Sequence, residues 1–240
     1  KNVQALRESE KPVYKAYLDK EFDDSSTVEI LNLTSERIEN LAILGKVWGF
    51  LKYYHPEIAK GNYNWDYELF RIIPSYLDET NELKREELVL KWIDNIGRID
   101  ECKTCNSTPE NALLKPDLKW ITKSIVSESL KDKLHYIYNN RNQGKHFYIK
   151  MATGVGNPEF ENEKAYANMP YPDSGYRLLA LYRYWNMINY FFPNKYLTDK
   201  DWNTTLKEYI PKFINAKNEL EYEQAAIQII GDIQDTHANL

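Results

Sequence analysis

Residues Leu41–Arg98 read LAILGKVWGFLKYYHPEIAKGNYNWDYELFRIIPSYLDETNELKREELVLKWIDNIGR, and a related stretch returns without a gap at Leu178–Asp235. Each residue of the first stretch aligns with the residue 137 positions further along the chain. The identical pairs include Leu41/Leu178, Leu44/Leu181, Trp48/Trp185, Tyr53/Tyr190, Pro56/Pro193, Trp65/Trp202, Leu69/Leu206, Ile73/Ile210, Pro74/Pro211, Glu86/Glu223, Ile93/Ile230 and Ile96/Ile233. Most are residue types that determine packing and chain direction, so the repeat is one of architecture rather than of chemistry.

Each copy of the repeat has the apolar spacing of three helices. In the first copy, a stripe of apolar residues that includes Trp48 predicts an amphipathic helix. Pro56 ends this helix, because proline disfavours helical geometry in the preceding residue. A second helix follows the N-cap candidates Asn64 and Asp201 in the two copies. The third helices are predicted at Leu83–Gly97 and Leu220–Gln234.

Two residue types are expected to hold each repeat together. The four tryptophans that we expect to be buried, as two central pairs, are Trp48, Trp65, Trp185 and Trp202. Pro74 and Pro211 fall within a helical pattern at the same place in both copies. Because proline removes a backbone donor and crowds the preceding turn, each predicts a kink or a fresh helix start.

The sequence between the copies differs in character. It is irregular around Glu101–Trp120, then predicts one helix over about Glu128–Arg141 capped by Ser127, and a short strand at His146–Met151. The predicted fold is therefore mainly α, with two copies of a three-helix unit joined by an irregular linker with one helix and a short strand. The predicted divisions are an N-terminal extension at 1–35, repeat one at 36–100, the linker at 101–172 and repeat two at 173–240.

Composition excludes several classes of function. The chain has 240 residues, a net charge of -5 and only 9 glycines, and it contains no glycine-rich phosphate-binding loop. An acidic chain does not offer the basic face that nucleic acid requires, so no nucleic-acid partner is expected. No apolar run approaches the roughly 20 residues of a membrane span. The high aromatic content (19 Tyr, 8 Phe and 6 Trp) falls largely at helical spacing, which favours an aromatic core over a ligand-stacking surface.

The only cysteines, Cys102 and Cys105, form a C-x-x-C in the linker. A zinc site needs two further ligands at recognisable spacing, and His135 and His146 show none. A redox role of the thioredoxin type needs a βαβ context that the sequence does not show. A loop-stapling disulfide, two free thiols and an incomplete metal site remain as explanations, in that order.

The remaining polar residues form no recognisable active site. His55 precedes Pro56 at a helix end, where the second copy has Phe192, and packing explains it adequately. The acidic pair Glu82 and Glu86, which recurs in repeat two, lies near a helix start and suits the positive end of the helix dipole. No nucleophile–base arrangement is present, so no catalytic residue and no cofactor is predicted for this chain.

The second copy resembles a known family. The stretches that carry the resemblance are Tyr176–Asn186 (YRLLALYRYWN), Tyr190–Pro193 (YFFP), Asp201-Trp202, Tyr209–Pro211 and Asp232–Ala238 (DIQDTHA). They are similar to the helical region that precedes the catalytic part of tail-specific (carboxyl-terminal-processing) and tricorn-type serine peptidases, serine peptidase family forty-one. The likeness covers about Asp173–Leu240, and Leu41–Arg98 resembles the same unit, as in longer exported members with a duplicated front end.

The resemblance implies that this chain is a non-catalytic N-terminal helical region of an exported serine peptidase. In the family, the nucleophilic serine and its partner residues lie well downstream of the Asp-Thr-His, so no residue here matches them. Asp235 and His237 match the signature at the entrance to the protease part, and we interpret them as structural. The implied partners are downstream PDZ and protease domains of the same polypeptide and the polypeptide substrate of the full-length enzyme. The implied location is extracytoplasmic: periplasmic, secreted or lipid-anchored after removal of a leader.

Two functions from different classes follow. One is a structural or substrate-guiding role within a peptidase, and the other is a self-sufficient helical-repeat module that binds peptide or glycan through aromatic residues. An exposed groove lined by Tyr182, Tyr184 and Tyr190 would favour the binding module. A bare apolar patch near Ile233–Leu240 would favour the peptidase region, because a severed interface exposes what its partner covered.

Overall fold

A computed structural model describes residues 13–105, 111 and 115–235 of the chain. Within these ranges the fold is mainly α-helical with one two-stranded sheet, which confirms the predicted fold class. The helices are α1 (Ser35–Tyr54), α2 (Pro56–Ala59), α3 (Trp65–Asp78), α4 (Glu82–Ile96), α5 (Lys119–Ser124), α6 (Glu128–Asn139), α7 (Ser174–Phe191), α8 (Trp202–Ile214) and α9 (Glu219–Gly231). The strands are β1 (Ile149–Met151) and β2 (Pro158–Phe160).

The two copies have the same order of long helices. In repeat one, α3 begins at Trp65 and α4 at Glu82; in repeat two, α8 and α9 begin 137 positions later, at Trp202 and Glu219. Repeat one also contains the short helix α2, for which Pro56 supplies the first residue. In repeat two a 3-10 turn occupies the corresponding connection. Helix order and register therefore follow the sequence repeat.

The two predicted N-caps behave differently. The Asp201 carboxylate accepts hydrogen bonds from the first backbone N–H groups of α8. Asn64 occupies the N-cap position of α3, but its side chain makes no capping bond. Instead, the Trp65 backbone N–H donates to the Tyr148 hydroxyl at 2.9 Å, and that hydroxyl donates to the Tyr63 carbonyl at 2.9 Å. The Tyr148 hydroxyl of the linker thus satisfies the backbone N–H of the first residue of α3.

Neither helical proline starts a new helix. Helix α3 continues through Pro74 to Asp78, and α8 continues through Pro211 to Ile214. Of the two consequences predicted for these prolines, a fresh helix start does not occur. Proline costs the helix one donor but its own φ suits helical geometry, and apolar residues on both sides of it, such as Tyr76 after Pro74, are buried.

The linker is more ordered than its composition predicts. Helix α6 begins after Ser127, whose side chain accepts the Leu130 N–H, as predicted. The short helix α5 and the partner strand β2 were not predicted. The strand is also shorter than expected and begins at Ile149, because the preceding residues bond to repeat one: the Phe147 N–H donates to the Ala59 carbonyl at 2.7 Å.

Within the described ranges, one cluster of buried apolar residues connects the extension, both repeats and the linker. Phe22, Val28 and Ile30 of the N-terminal extension belong to it, as do Leu134 and Phe147 of the linker. Burial of this size is the main stabilising contribution to folding. The extension and the linker therefore pack against the helical repeats.

Helices α1 and α7 approach closely where the two repeats meet. The Cβ that an alanine would add at Gly45 would lie 2.6 Å from the Tyr182 ring, and at Gly49 it would lie 2.0 Å from the Asn186 side chain. Tyr182 donates to the Leu41 carbonyl, and Asn186 Nδ2 donates to the Gly45 carbonyl at 3.0 Å. The two glycines provide the space in which the two larger side chains bind the α1 backbone.

Candidate functional site

The four predicted core tryptophans are buried, each with an exposed fraction of at most 4%. Within each repeat, the two indoles are hydrogen-bonded to each other's backbone. Trp185 Nε1 donates to the Trp202 carbonyl at 2.6 Å, and Trp202 Nε1 donates to the Trp185 carbonyl at 3.0 Å. These residues hold the repeats together and lie outside any pocket described below.

The predicted residues at the end of repeat two are only partly described. Asp235 is half-buried and lowers the acidity of Tyr184, whose pKa is raised by burial and, secondarily, by that carboxylate. His237 lies outside the described residues. A bare apolar patch near Ile233–Leu240 would have favoured the peptidase region, but Ile233 is buried and residues 236–240 lie outside the described residues.

Cys102 and Cys105 form a disulfide in this structure. The backbone N–H of Cys102 donates to the Asn140 side chain at 2.7 Å, just after the end of α6. The disulfide therefore lies where repeat one passes into the linker and is tied to α6. Among the described residues, no three His, Cys, Asp or Glu side chains are grouped as a metal site would require.

A pocket with a volume of about 990 Å³ lies in the described part of the chain. It lies where the C-terminal ends of α1 and α7 meet the β1–β2 hairpin and the turn that precedes it. Its lining is mostly aromatic and basic. The aromatic side chains are Tyr14, Tyr53, Tyr54, His146, Phe147, Tyr190 and Phe191, and the charged ones are Lys60, Lys145, Lys150 and Glu161.

The floor of the pocket comes from equivalent positions of the two repeats. Tyr53 and Tyr54 end α1, and Tyr190 and Phe191 stand at the same two positions at the end of α7. Tyr53 packs edge-on against Tyr190 with ring centroids 5.1 Å apart, and against Phe191 at 5.0 Å. Such edge-to-face contacts stabilise the aromatic platform and fix its shape. Each repeat thus contributes one aromatic pair, and we call the surface formed by Tyr53, Tyr54, Tyr190 and Phe191 the aromatic floor.

Three hydroxyl groups of the aromatic floor are available to a ligand. Among the described residues, the hydroxyls of Tyr53, Tyr54 and Tyr190 have no hydrogen-bond partner, and all three side chains line the pocket. Burial raises the pKa of each of these tyrosines above its usual value, so all three remain protonated donors at neutral pH. The floor therefore combines apolar ring faces with unused hydrogen-bonding capacity.

The exposed edge of the hairpin runs along one side of the pocket. The Glu161 N–H donates to the Tyr148 carbonyl at 2.9 Å, and the Ala152 N–H donates to the Asn157 carbonyl at 2.8 Å. Backbone direction alternates along a strand, so the intervening Ile149 and Met151 direct their N–H and C=O groups away from β2. No described backbone group pairs with this outer edge of β1.

His146 supports the wall of the pocket. Its Nδ1 accepts the Tyr148 N–H at 3.0 Å, so its Nε2 carries the proton and donates to the Lys52 carbonyl at 3.0 Å. Burial lowers the pKa of His146 to about 4, and the ring is neutral at physiological pH. Both nitrogens are occupied, so the residue positions the chain and is a poor candidate for acid–base chemistry.

A buried group of charges lies beside the pocket. Lys52 is fully buried, is paired with Glu163, and has its Nζ 4.9 Å from the centre of the Trp48 ring. Burial lowers the pKa of Lys52, although Glu163 opposes that shift. The pKa of the neighbouring Asp66 is below its usual value, because the attraction of the paired Arg183 outweighs the opposing effect of burial. These ion pairs join the linker to both repeats.

The groove of Tyr182, Tyr184 and Tyr190 that would have favoured a binding module is not present as a unit. Tyr182 is completely buried against α1, and the hydroxyl of Tyr184 is buried without a partner among the described residues. Of the three expected residues, only Tyr190 lines a pocket. The repeated aromatic pair before Pro56 and Pro193 was the sequence signal for the floor, but the linker strand that completes the site has no counterpart in the repeat.

No helix in the described ranges is both long and apolar enough to cross a membrane. Comparisons with models of protein families, with curated proteins and with solved structures found no match to this chain.

Proposed function

We propose that this chain is the non-catalytic helical region of an exported serine peptidase, and that it holds polypeptide substrate in the aromatic pocket. The resemblance of Asp173–Leu240 to the helical front region of that family supports the peptidase assignment. The aromatic pocket supports the substrate-holding role.

The single observation that carries the substrate-holding role is the open edge of β1 beside the aromatic floor. An extended polypeptide can add as a third strand and pair with the outward N–H and C=O groups of Ile149 and Met151. Its backbone then needs no particular sequence. A side chain directed towards the floor would contact Tyr53 and Tyr190. This mode suits an enzyme that handles many unfolded chains.

The opposite edge of the hairpin is less suitable for strand addition. Pro158 stands opposite Met151 in the β2 register, and its ring nitrogen lies on the outer edge of β2, where no N–H is available. Proline on an edge strand prevents pairing with further chains. The hairpin thus blocks one edge and leaves the edge beside the pocket open.

The charges around the pocket favour a segment that carries an acidic residue. Lys60 and Lys150 have carboxylate partners, whereas Lys145 has no ion pair among the described residues. Glu161 is the one carboxylate in the lining, and it lies 3.8 Å from Lys150. An acidic side chain of the substrate would therefore find a cationic rim.

The disulfide supports an extracytoplasmic location, because such bonds persist in oxidising compartments. We expect protein isolated from its native compartment to be lighter by two hydrogens than its reduced form, as intact mass spectrometry can measure. A two-residue spacing closes a small ring, so the disulfide should stabilise the fold by at most about 2 kcal/mol. Two free thiols in the isolated protein would contradict this location.

A second candidate function is a self-sufficient module that binds peptide or glycan. The observation that favours it is the set of three unpartnered hydroxyls on the aromatic floor, since sugars also use ring faces and hydroxyl groups. A glycan would not need the β1 edge. Tyr190→Ala would then weaken binding while changes to the backbone of Met151 would not.

The test is a pair of variants at Met151, titrated with a fluorescent, permanently unfolded polypeptide such as carboxymethylated lactalbumin. Met151→Pro removes an outward N–H without removing a bond to β2, and Met151→Ala truncates the same side chain but keeps the N–H. Loss of one backbone hydrogen bond is worth about 1 kcal/mol, so the proline variant should bind about fivefold more weakly than the alanine variant. Equal binding by both variants, or no binding by the natural chain, would contradict strand addition.

The peptidase assignment has its own test. The purified 240-residue chain should not hydrolyse peptides, and its gene should continue past the codon for Leu240 into a serine peptidase region. Peptide hydrolysis that co-elutes with the chain on a sizing column would contradict the non-catalytic role. A continuation without a peptidase region would leave the binding module as the better description.

A further inference from the structure

In repeat one, helix α6 covers one face of α4 and is held there by a carboxylate. The backbone N–H groups of Val126 and Ser127, at the start of α6, donate to the two oxygens of Glu86 at 2.8 and 2.6 Å. Glu86 is only 7% exposed. An anion at this place meets both unpaired N–H groups and the positive end of the helix dipole.

The apolar part of this contact follows the same stripe of α4. Leu90 and Ile93 lie four and seven residues after Glu86, which places all three on one helix face. Ile93 is buried, and Leu90 packs against the core. The Asp94 carboxylate then pairs with Lys133 of α6 at 2.5 Å. Glu86, Leu90 and Ile93 thus form a seat for a helix, with the carboxylate at the helix start.

Repeat two contains the same seat, and no helix of the described ranges covers it. The residues at the equivalent positions of α9 are Glu223, Ile227 and Ile230. Glu223 is exposed, Ile227 is 51% exposed and Ile230 is half-buried. The buried residues of α9, Ala225 and Ile229, lie on the side that packs against α8. The equivalent of the α4 face is therefore open in the described structure.

The open face of α9 carries a continuous stripe of apolar residues. Leu220, which is 61% exposed, precedes Ile227 by seven residues and extends the same stripe. A β-branched residue in a solvent-exposed helix position gains nothing from burial and has only moderate helix propensity. The carboxylate and both apolar positions are nevertheless present in both repeats, although only repeat one has α6 to use them.

We propose that the face of α9 formed by Glu223, Ile227 and Ile230 is a docking surface for an amphipathic helix of a partner protein. The helix would bind with the N–H groups of its first turn against Glu223 and its apolar stripe against the two isoleucines. Its chemistry is that of α6: a serine or threonine cap, then apolar residues with the spacing of Leu130 and Leu134. This surface shares no residue with the aromatic pocket and does not depend on the proposed function.

A second copy of this chain is a less suitable occupant, because its α6 is already seated on its own α4. The probe is therefore a fluorescent synthetic peptide of residues 126–140, which contains α6 and its cap. In the folded chain, α6 occupies the repeat-one seat, so added peptide meets the open seat on α9. We expect saturable binding, measured by fluorescence anisotropy up to 1 mM chain.

Three variants of the folded chain distinguish specific docking from general stickiness. Ile227→Lys places a charge in the apolar stripe and should abolish binding, and Glu223→Gln should weaken it at least about tenfold. The matched control is Val155→Lys, because Val155 lies in the hairpin turn and is 71% exposed. This variant should bind the peptide as the natural chain does. Circular dichroism and thermal unfolding should be unchanged in all three, since each site is exposed.

Each possible result of the binding experiment either supports or overturns the docking surface. Loss of binding in Ile227→Lys with retention in Val155→Lys supports the docking surface. No binding by the natural chain at 1 mM, or equal binding by Ile227→Lys, overturns it. A concentration-dependent dimer that Ile227→Lys abolishes would identify a second copy as the occupant and overturn the assignment to a partner helix.

Discussion

Trp48 and Trp65 are joined by reciprocal hydrogen bonds: each indole Nε1 donates to the backbone carbonyl of the other residue, at 2.9 Å in both directions. The pair connects the middle of α1 with the first residue of α3. Trp185 and Trp202 make the same two bonds in repeat two. Each pair therefore satisfies two buried donors while it fixes the angle between two helices.

Truncation of one member should remove both packing and a hydrogen bond. We expect Trp185→Ala to lower the free energy of unfolding by about 3–5 kcal/mol, the usual range for a buried aromatic residue. Urea unfolding followed by circular dichroism measures the change. Val155→Lys, in the exposed hairpin turn, serves as the control and should unfold as the natural chain does. A loss below about 1 kcal/mol for Trp185→Ala would show that the residue is only a surface contact.

The close approach of α1 and α7 predicts a strong effect of one methyl group. In Gly49→Ala the new Cβ would lie 2.0 Å from Asn186 Oδ1, and Asn186 is held by bonds to the Gly45 and Tyr182 carbonyls. We expect a loss of about 2–3 kcal/mol, as for other overpacked cores. Gly231→Ala is the matched control, since nothing lies within 4 Å of its added Cβ. If the two alanine variants unfold alike, the packing described here is incorrect.

The ion pair of the buried Lys52 and the partly buried Glu163 should show strong coupling. Glu163→Gln leaves the Lys52 ammonium buried without its carboxylate and should cost about 2–4 kcal/mol. Lys52→Met together with Glu163→Gln removes both charges and should recover most of that loss. Chemical unfolding of both single variants and the double variant gives the coupling energy. Additive losses would mean that the two side chains act independently.

Two neutral histidines predict a dependence of stability on pH. Burial lowers the pKa of His55 and of His146 to about 4 from the usual 6.5. Between these values the unfolded chain binds protons that the folded chain does not, so stability is complete above about pH 6.5 and falls as the pH approaches 4. Each histidine can contribute up to about 3 kcal/mol to that loss.

The repeat offers a natural replacement for one of them, because Phe192 occupies the position of His55 in repeat two. We expect the unfolding free energy of His55→Phe to change only about half as much between pH 7 and pH 4.5 as that of the natural chain. Both proteins are unfolded with urea at each pH. A variant whose pH dependence equals that of the natural chain would show that His55 is not the group responsible.

The sequence predicts the helical repeats well because the information lies within each helix. Apolar spacing places Trp48 and Trp65 in the core, and Pro56 and Pro193 mark the helix ends where the aromatic floor forms. The linker is different, because its order depends on contacts distant in sequence. The start of β1 is set by the bond from Phe147 to Ala59, some 88 residues away in the chain. No local pattern encodes such a contact.

The candidate site was missed for the same reason. Tyr190 could be named from the sequence, but Tyr53 and Tyr54, which complete the floor, come from the other repeat. Tyr182 has the same residue type and lies eight positions earlier, yet it is buried against Gly45. Periodicity places a residue on a helix face, but it does not say which face a second repeat or a linker will cover.

Gly45 aligns with Tyr182 in the repeat, and Gly49 aligns with Asn186, so each glycine meets the residue that replaces it in the other copy. At the contact between α1 and α7, equivalent positions of the two repeats therefore carry a glycine on one side and a large side chain on the other. If two copies of repeat one met in this way, the spaces at Gly45 and Gly49 would stay empty. If two copies of repeat two did, Tyr182 of one copy would clash with Tyr182 of the other, and Asn186 with Asn186. Each repeat therefore supplies one half of the contact between α1 and α7, and we expect neither repeat to keep this packing without the other.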